Sequence, residues 1–522
     1  MNMRKAYQAI IIPQLLDASS VWYGSGKRRK WMVDKLSSLQ HEAGVVISGA
    51  FKATSRAALN VELYLPPIDA VLEQRNAKTI SRLATVPPEH ALSEHVNTAF
   101  RKGVRSTPYR RFASPLQELG EANRHLFPEG KRPEIVTPYS AAPHAPTPSI
   151  VIHNSREEAI ANHNSLRESC VEELAIYTDG SGINGKVGSA AVIPPQSQST
   201  TQAGRAEFAY IGPDNEQNVY LAELQGIYMA LRMFNEDDQG YQRARVYTDN
   251  QAAIISSHKP AQQSGQHVIK RILELWSALR YKGKTVALQW IPAHEGVPGN
   301  EKADVAAKIA TGWRPKSRSA SPCSAALVFD LSPWEIENLD PHDTDLTGPR
   351  IHYLKLRSAL YRQINAAILP RWRAQWNANT TAKSLRDLDP TLPSKKVLGL
   401  HSKHKPTNSL LIQLRTEKIG LRAFLHLRKV PGYEHEGGNV CECKEAFQTA
   451  KHVLLQCPIW RQQRRQMQLE GGEAKTRDIQ TLLTDRSVVG LAVRFMASTG
   501  VLKQYHAVDW SAAKLTVDSS GR

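Results

Sequence analysis

Between residues 170 and 311, short apolar runs alternate with helical stripes. "LAIYTD" is β-branched and aromatic enough for a strand, and "GSAAVI" and "AEFAYIG" read as two more, joined by polar turns. "NVYLAELQGIYMALRMF" then places Leu221, Leu224, Ile227, Tyr228 and Leu231 on one helical face. "ARVYTDN" is a further strand, Val268, Ile272, Leu275 and Leu279 recur at helical spacing, and "TVALQWIPAH" returns as a strand. "GNEKADVAAKIA" closes the block as a helix, with Asn300 in the N-cap position. The order βββαβααβα predicts an α/β unit with a mixed five-stranded sheet: a meander of three strands, then two more added through helical crossovers.

Both flanks read as mainly helical. "WMVDKLSSLQHEAGVVISGAF" carries apolar residues at Trp31, Val33, Leu36 and Leu39 and on through Val46 and Ile47. "NSLLIQLRTEKIGLRAFLHLRKV" reads as a basic, amphipathic helix pair. Residues 127–150, with six prolines, read as an extended connector, and 312–335 mix Ser, Pro and Arg in the same way. The expected division is therefore 1–126, a connector over 127–169, the α/β unit at 170–311, a second connector over 312–345, and 346–522.

Length agrees, since 522 residues exceed what one core sustains and about three domains are expected. Lys and Arg number 67 against 49 Asp and Glu, a net charge of +18 that favours a polyanionic partner. No run of about 18 apolar residues occurs, so a membrane span is not expected. The N-terminal apolar run is broken by Pro13 and Gln14 and is a poor secretion signal; an intracellular protein, nuclear or cytoplasmic, is expected. "GKRRK" at 26–30 reads either as a short import signal or as a helix cap. Of five cysteines, Cys441, Cys443 and Cys457 cluster near the C-terminus, the pattern of a local metal site in a reducing compartment.

The candidate chemistry lies in four carboxylates. Asp179 is expected to end the first strand on a flexible loop, "DGSG", and Asp249 to end the fourth strand; Glu223 and Asp304 lie on helices. Strand ends on neighbouring strands are where sites form in open α/β sheets. Glu223 interrupts an apolar face between Leu221 and Leu224, where an unpaired carboxylate costs several kcal/mol. Clustered carboxylates raise one another's pKa unless cations neutralise them, and Mg²⁺ suits oxygen ligands. Two such ions about 3.5–4 Å apart activate a water and stabilise the leaving oxygen of a phosphodiester displacement. Taken singly, each residue has an ordinary reading: a turn or cap for an aspartate, a solvated charge for a helical glutamate, a loop histidine for His294.

In order, "YTDGS", "LAELQGIYMAL", "VYTDNQAAI" and "WIPAHEGVPGNEKADVAAK" resemble type 1 ribonuclease H, each acidic residue in its expected local text. The resemblance implies that Asp179, Glu223, Asp249 and Asp304 hold two Mg²⁺ ions, with Mn²⁺ as a substitute, and that His294 assists proton transfer or product release. It implies an RNA–DNA hybrid as partner, its RNA strand hydrolysed to a 5′-phosphate and a 3′-hydroxyl. Distinguishing RNA requires sensing the 2′-hydroxyl: Gly180, Ser181 and Gly182 are substrate-binding candidates, the glycines allowing close backbone approach, while Glu223 and Asn250 can accept from or donate to 2′-hydroxyls. The chain departs from some bacterial relatives in passing directly through "KGKT" after Tyr281, with no room for a basic, Trp-bearing extra helix.

The flanks carry a resemblance too. Residues 5–85 are similar to the last part of the reverse transcriptase region of LINE-type (non-LTR) retrotransposon polyproteins, without the aspartate pair of a polymerase palm. "CECKEAFQTAKHVLLQCP" is similar to the zinc knuckle that follows ribonuclease H in fungal elements of this class. Three thiolates and an imidazole, Cys441, Cys443, His452 and Cys457, suit tetrahedral Zn²⁺; the other reading is a set of buried free cysteines. Trp372, Arg373, Trp376 and Arg428 read either as a surface for single-stranded RNA or DNA or, for the tryptophans, as core. The leading expectation is an RNA–DNA hybrid endonuclease in a retrotransposon-derived chain. Its alternative is a catalytically inactive remnant that only binds nucleic acid, and an integrase-like DNA transferase fits the helix glutamate and the "AHEGVPGNEKAD" text less well.

Overall fold

The computed structural model describes residues 2–23, 27–102, 114–128, 133–137, 146–169, 172–195, 204–314 and 354–510. The connector expected at 312–345 lies outside them from residue 315 onward, and the basic run at 26–30 lies partly outside. The chain forms two compact units, Ala77–Ile364 and Met1–Asn76 with Asn365–Arg522.

The unit Ala77–Ile364 is built on a mixed six-stranded sheet of order β1–β6–β5–β2–β3–β4. Its strands are β1 (Ser149–Val151), β2 (Glu173–Ile183), β3 (Lys186–Ile193), β4 (Arg205–Pro213), β5 (Arg243–Thr248) and β6 (Thr285–Trp290). β2, β3 and β4 form an antiparallel meander, while β5, β6 and β1 run parallel to β2. The helices between β1 and the end of the α/β block are α1 (Arg156–Ser169), α2 (Val219–Asn235), α3 (Gln251–His258), α4 (Gln266–Tyr281) and α5 (Pro298–Ala310). From β2 to α5 the order is the βββαβααβα of the sequence pattern.

Apolar periodicity explains the layers. Leu174 and Ile176 of β2 face one side of the sheet, with Val246 and Leu288, and are covered by Leu221, Leu224 and Ile227 of α2 and Val268 and Ile272 of α4. Ala175, Tyr177 and Tyr247 face the other side, where α5 packs through Ala303, Ala306 and Ala307. With both faces covered, the sheet is a core rather than a surface.

Three local expectations change. The sheet has six strands, not five, because residues 149–151 of the proline-rich connector pair in parallel with β6, Ser149 opposite Ala287. The prolines stop at Pro148, the β-branched Ile150 and Val151 cover an edge that would otherwise be unpaired, and Ser155 then caps the first turn of α1 by accepting from Glu158 N at 3.1 Å. β2 does not stop at Asp179. It runs on through Gly180, Ser181 and Gly182 to Ile183, and the chain reverses at Asn184–Gly185, where φ is 51° and 75°. A two-residue hairpin loop needs positive φ at both positions, which Asn-Gly supplies. Finally, α5 begins at Pro298 after Val297, so Asn300 is a buried first-turn residue rather than the N-cap.

The unit Met1–Asn76 with Asn365–Arg522 is mainly helical. The N-terminal stripe forms the helix Lys27–Ser48, ended by Gly49 at φ 68°. The predicted helix pair appears as Lys405–Arg415 and Arg422–Leu427. Arg415 is not a surface cation: it is fully buried, its Nε 2.8 Å from Glu62 Oε1 and its Nη2 2.8 Å from Asp389 Oδ2. Trp372 and Trp376, each 2 % exposed, pack against Ala58, Val61 and Leu385; both are core residues, not stacking platforms. Among the described residues no helix is long and apolar enough to cross a membrane.

Candidate active site

Register brings the first two carboxylates together. Thr178 on β2 is opposite Thr248 on β5 in a parallel pair, so Asp179 and Asp249 are the next residues on adjacent strands. Asp249 is held by its own backbone: its carbonyl accepts from Trp290 Nε1 at 3.0 Å, and Asn250 then caps α3, its Oδ1 accepting from Ala253 N at 3.0 Å. The side-chain oxygen of Asn250 is therefore committed to the helix, and its amide N–H₂ is the group left for a ligand.

Glu223 is delivered by the start of α2, and a glycine permits it. A Cβ on Gly180 would stand 2.9 Å from Ala222 Cβ, Glu223 N and Val219 O, so only glycine lets α2 lie this close to β2. The need for Gly180 thus comes from helix-on-strand contact. Glu223 is 2 % exposed, and its Oε2 accepts from Thr248 Oγ1 at 3.2 Å. Carboxylate oxygens of Asp179, Glu223 and Asp249 all lie within 4.8 Å of one another.

This proximity has an electrostatic consequence. Burial, followed by the charges of Asp249 and Asp304, pushes the Asp179 carboxyl up to about 8. Burial, then Asp179 and Asp249, raises Glu223 as well. Burial also raises Asp249, while the nearby His294 pulls it down and Asp304 pushes it up. A site that holds protons against its own acidity is one that a divalent cation can occupy instead. Oxygens sharing one hard cation at about 2.0–2.6 Å lie at most about 4–5 Å apart, and this set fits.

Asp304, on α5, is near enough to act on Asp179 but lies outside the three-residue cluster. Its carboxylate is paired with Lys308 Nζ at 2.5 Å, one turn on. That i,i+4 pair was readable in "ADVAAK". His294 is exposed, at φ 56°, on the loop between β6 and α5. Ser181 is buried and Gly182 exposed on the outer part of β2.

Sequence reasoning missed α1, which no acidic or glycine motif marks. Tyr177 and Tyr247, two residues before Asp179 and Asp249, stack with ring centroids 5.0 Å apart. His163 of α1 sits edge-on to Tyr247, its Nε2 2.8 Å from the Tyr177 hydroxyl. At the N-terminal end of α1, Arg156 Nη1 meets Glu295 Oε1 at 2.9 Å, immediately after His294. One helix from the expected connector therefore touches both the floor of the carboxylate site and the histidine loop.

A model of the RNase H family matches residues 171–311. That stretch is an RNase H domain. Among solved structures, the chain is similar to RNase H1 from the halophilic archaeon Halobacterium salinarum, at 17 % identity over 26 % of this chain and 95 % of that one, TM-score 0.20. The N-terminal RNase H domain of a Mycobacterium tuberculosis protein, fused to maltose binding protein, matches at 20 % identity over 27 % of this chain and 98 % of that one, TM-score 0.21. LC11-RNase H1 in complex with an RNA/DNA hybrid matches at 18 % identity over 26 % and 99 %, TM-score 0.20. The RNase H match ends well before the cysteines and begins after the N-terminal helices and α1.

Outside the RNase H domain, the structure gathers the second candidate set. Cys441, Cys443, His452 and Cys457 offer ligand atoms all within 4.8 Å of one another. Cys441 Sγ and Cys457 Sγ are 3.8 Å apart, and Cys443 Sγ is 3.2 Å from His452 Nε2. A disulfide needs about 2.05 Å, whereas sulfurs about 2.3 Å from a tetrahedral Zn²⁺ stand roughly 3.8 Å apart. Burial pushes the Cys457 thiol up to about 11, so a cation is what would favour its thiolate. Arg373 and Arg428 are exposed, unlike the tryptophans they were grouped with.

Proposed function

We propose that the RNase H domain hydrolyses the RNA strand of RNA–DNA hybrids. The observation that carries this reading is Glu223, almost fully buried, with one carboxylate oxygen within 4.8 Å of one each from Asp179 and Asp249. Such a group is costly to stability without a counter-charge and useful with one. Asp179, Glu223 and Asp249, with Asp304 beside them, would hold Mg²⁺ or Mn²⁺; a pair of such ions, when bound, supplies an activated water and stabilises the leaving oxygen. Hydrolysis joins the oxygen of water to phosphorus and breaks the bond to the 3′-oxygen, leaving a 5′-phosphate and a 3′-hydroxyl.

The chain's own groups do the rest. Thr248 orients Glu223 and Trp290 fixes the backbone of Asp249, so the carboxylates would already be placed for any ions they bind. His294, exposed and near enough to act on Asp249, would carry a proton toward the leaving group or help product depart. The Asn250 amide N–H₂ and the outer strand residues Ser181 and Gly182 face the task of recognising the 2′-hydroxyl.

We read the flanks as parts of a LINE-type retrotransposon polyprotein, on the text of residues 5–85 and 408–457, with Zn²⁺ held by Cys441, Cys443, His452 and Cys457. Single-stranded RNA or DNA binding in this region falls to exposed cations such as Arg373 and Arg428, since the tryptophans are buried. The deciding experiment incubates the full chain with Mg²⁺ and a hybrid labelled in its RNA strand, beside Asp249→Asn. Cleavage by the first and not the second is expected. No cleavage by either leaves a nucleic-acid-binding remnant, and equal cleavage by both removes the carboxylate assignment.

A further inference from the structure

Arg464 lies on the helix Arg461–Gly471 and is 9 % exposed. A guanidinium stays charged in proteins, and burying it costs several kcal/mol unless it is paired. Among the described residues no carboxylate pairs with it. Its three bonds all go to main-chain carbonyls: Nε to Leu454 O at 2.9 Å, Nη2 to Val453 O at 3.3 Å and Nη2 to Cys457 O at 2.6 Å.

Those carbonyls belong to the turn that carries two candidate metal ligands. His452–Gln456 is wound one residue wide, with Cys457 N bonding to His452 O at 2.7 Å rather than to Val453 O. Leu454 O would look to residue 458 for a helical donor, but Pro458 has none. The wide turn aims His452 and Cys457 at Cys443 and Cys441; together with Pro458 it leaves Val453 O and Leu454 O without their helical donors, and Arg464 takes up both along with Cys457 O. A centre of Zn²⁺ with three thiolates and a neutral imidazole carries one net negative charge, the complement of one buried guanidinium.

The geometry points to Arg464 as a positioning residue of the metal centre: it holds the His452–Cys457 turn in its ligating shape and supplies the counter-charge of a Cys₃His zinc site. This rests on the zinc reading above, so the full-length wild-type protein and Cys443→Ser are measured first. Bound zinc near zero in the wild type overturns the zinc reading itself, and the role of Arg464 with it, before any variant of Arg464 is considered.

With zinc established, Arg464→Gln keeps hydrogen-bond donors and loses the charge. Zinc affinity by competition with a chromophoric chelator should fall about 10- to 100-fold, and the rise in Tm on adding zinc should shrink relative to wild type. A purely structural cap would lower Tm equally with and without zinc and leave the affinity unchanged, which overturns the proposal. Should Arg464→Gln fail to fold, Arg464→Lys decides. Affinity within about 10-fold of wild type supports the counter-charge, and a loss as deep as that of Cys443→Ser overturns it.

Discussion

The carboxylate site and the thiol cluster put similar demands on the chain and meet them in opposite ways. Asp179, Glu223 and Asp249 come from two parallel strands and a helix, and a sheet buried on both faces forces them together against their own repulsion. Cys441, Cys443, His452 and Cys457 come from one short stretch of turns that joins no sheet, anchored in the helical core by Ala450, Val453 and Leu454. In the first, the fold is prior and a cation would relieve a strain that the fold imposes. In the second, a metal would itself be part of what makes the local structure. Neutralising a ligand should therefore favour the fold in one region and undermine it in the other.

The largest expected effect is on turnover. Glu223→Gln should lower hybrid cleavage by about 10³-fold, the scale of losing charge stabilisation in a preorganised site, while Tm in metal-free buffer stays level or rises. A fall in that Tm would break the contrast. Next in size, a strong chelator should unfold the 441–457 segment, seen as rapid hydrogen exchange there, and leave β2 and β5 protected. Unchanged protection of 441–457 would place the cysteines with ordinary core residues.

The same contrast predicts a pH dependence. Asp179 sits at about 8 in the folded protein against about 3.9 unfolded, so its proton is bound more tightly in the fold. Its contribution to metal-free stability is full below about pH 4 and is lost as pH rises through about 8. Thermal melts of metal-free protein at pH 5, 7 and 9 should show the RNase H domain weakening with pH. Mg²⁺ should restore it most at pH 9, and Asp179→Asn should flatten the trend.

Two smaller tests concern placement. Gly180→Ala forces a Cβ into backbone of α2, for about 1–3 kcal/mol of destabilisation, and it should reduce activity beyond that by moving Glu223. Activity unchanged at full folding would mean that α2 can give way without consequence. Asn250→Ala removes the cap of α3 and should cost about 1 kcal/mol in denaturant unfolding. A loss of RNA discrimination in the same variant would show that its free N–H₂ also reads substrate.

Much of the RNase H domain was legible because its signals are local. Period-two runs and helical stripes within a few residues specify β2 to α5, and an unpaired Glu223 on the apolar face of α2 stands out without any structure. What escaped has non-local causes. Trp372, between two arginines, and Trp376, between Gln375 and Asn377, look exposable, but burial follows from the residues that pack on them, Ala58 and Leu385 among them. The proline count hid β1 and α1, since nothing near Ile150 announces the open edge of β6. The end of β2 was misplaced because glycines usually end strands, while here β3 supplies partners on as far as Ile183.

The sequence by itself determined the elements from β2 to α5, their order, the acidic residues and the thiol set, since each is written in residue type and short spacing. Only the tertiary structure decided that Asp179 lies within a strand, that Gly180 serves α2, that Asp304 stands beside Asp179, and that His163 and Arg156 reach the site. Those facts depend on register and close approach between segments far apart in the chain, and no short stretch encodes the neighbour it will meet.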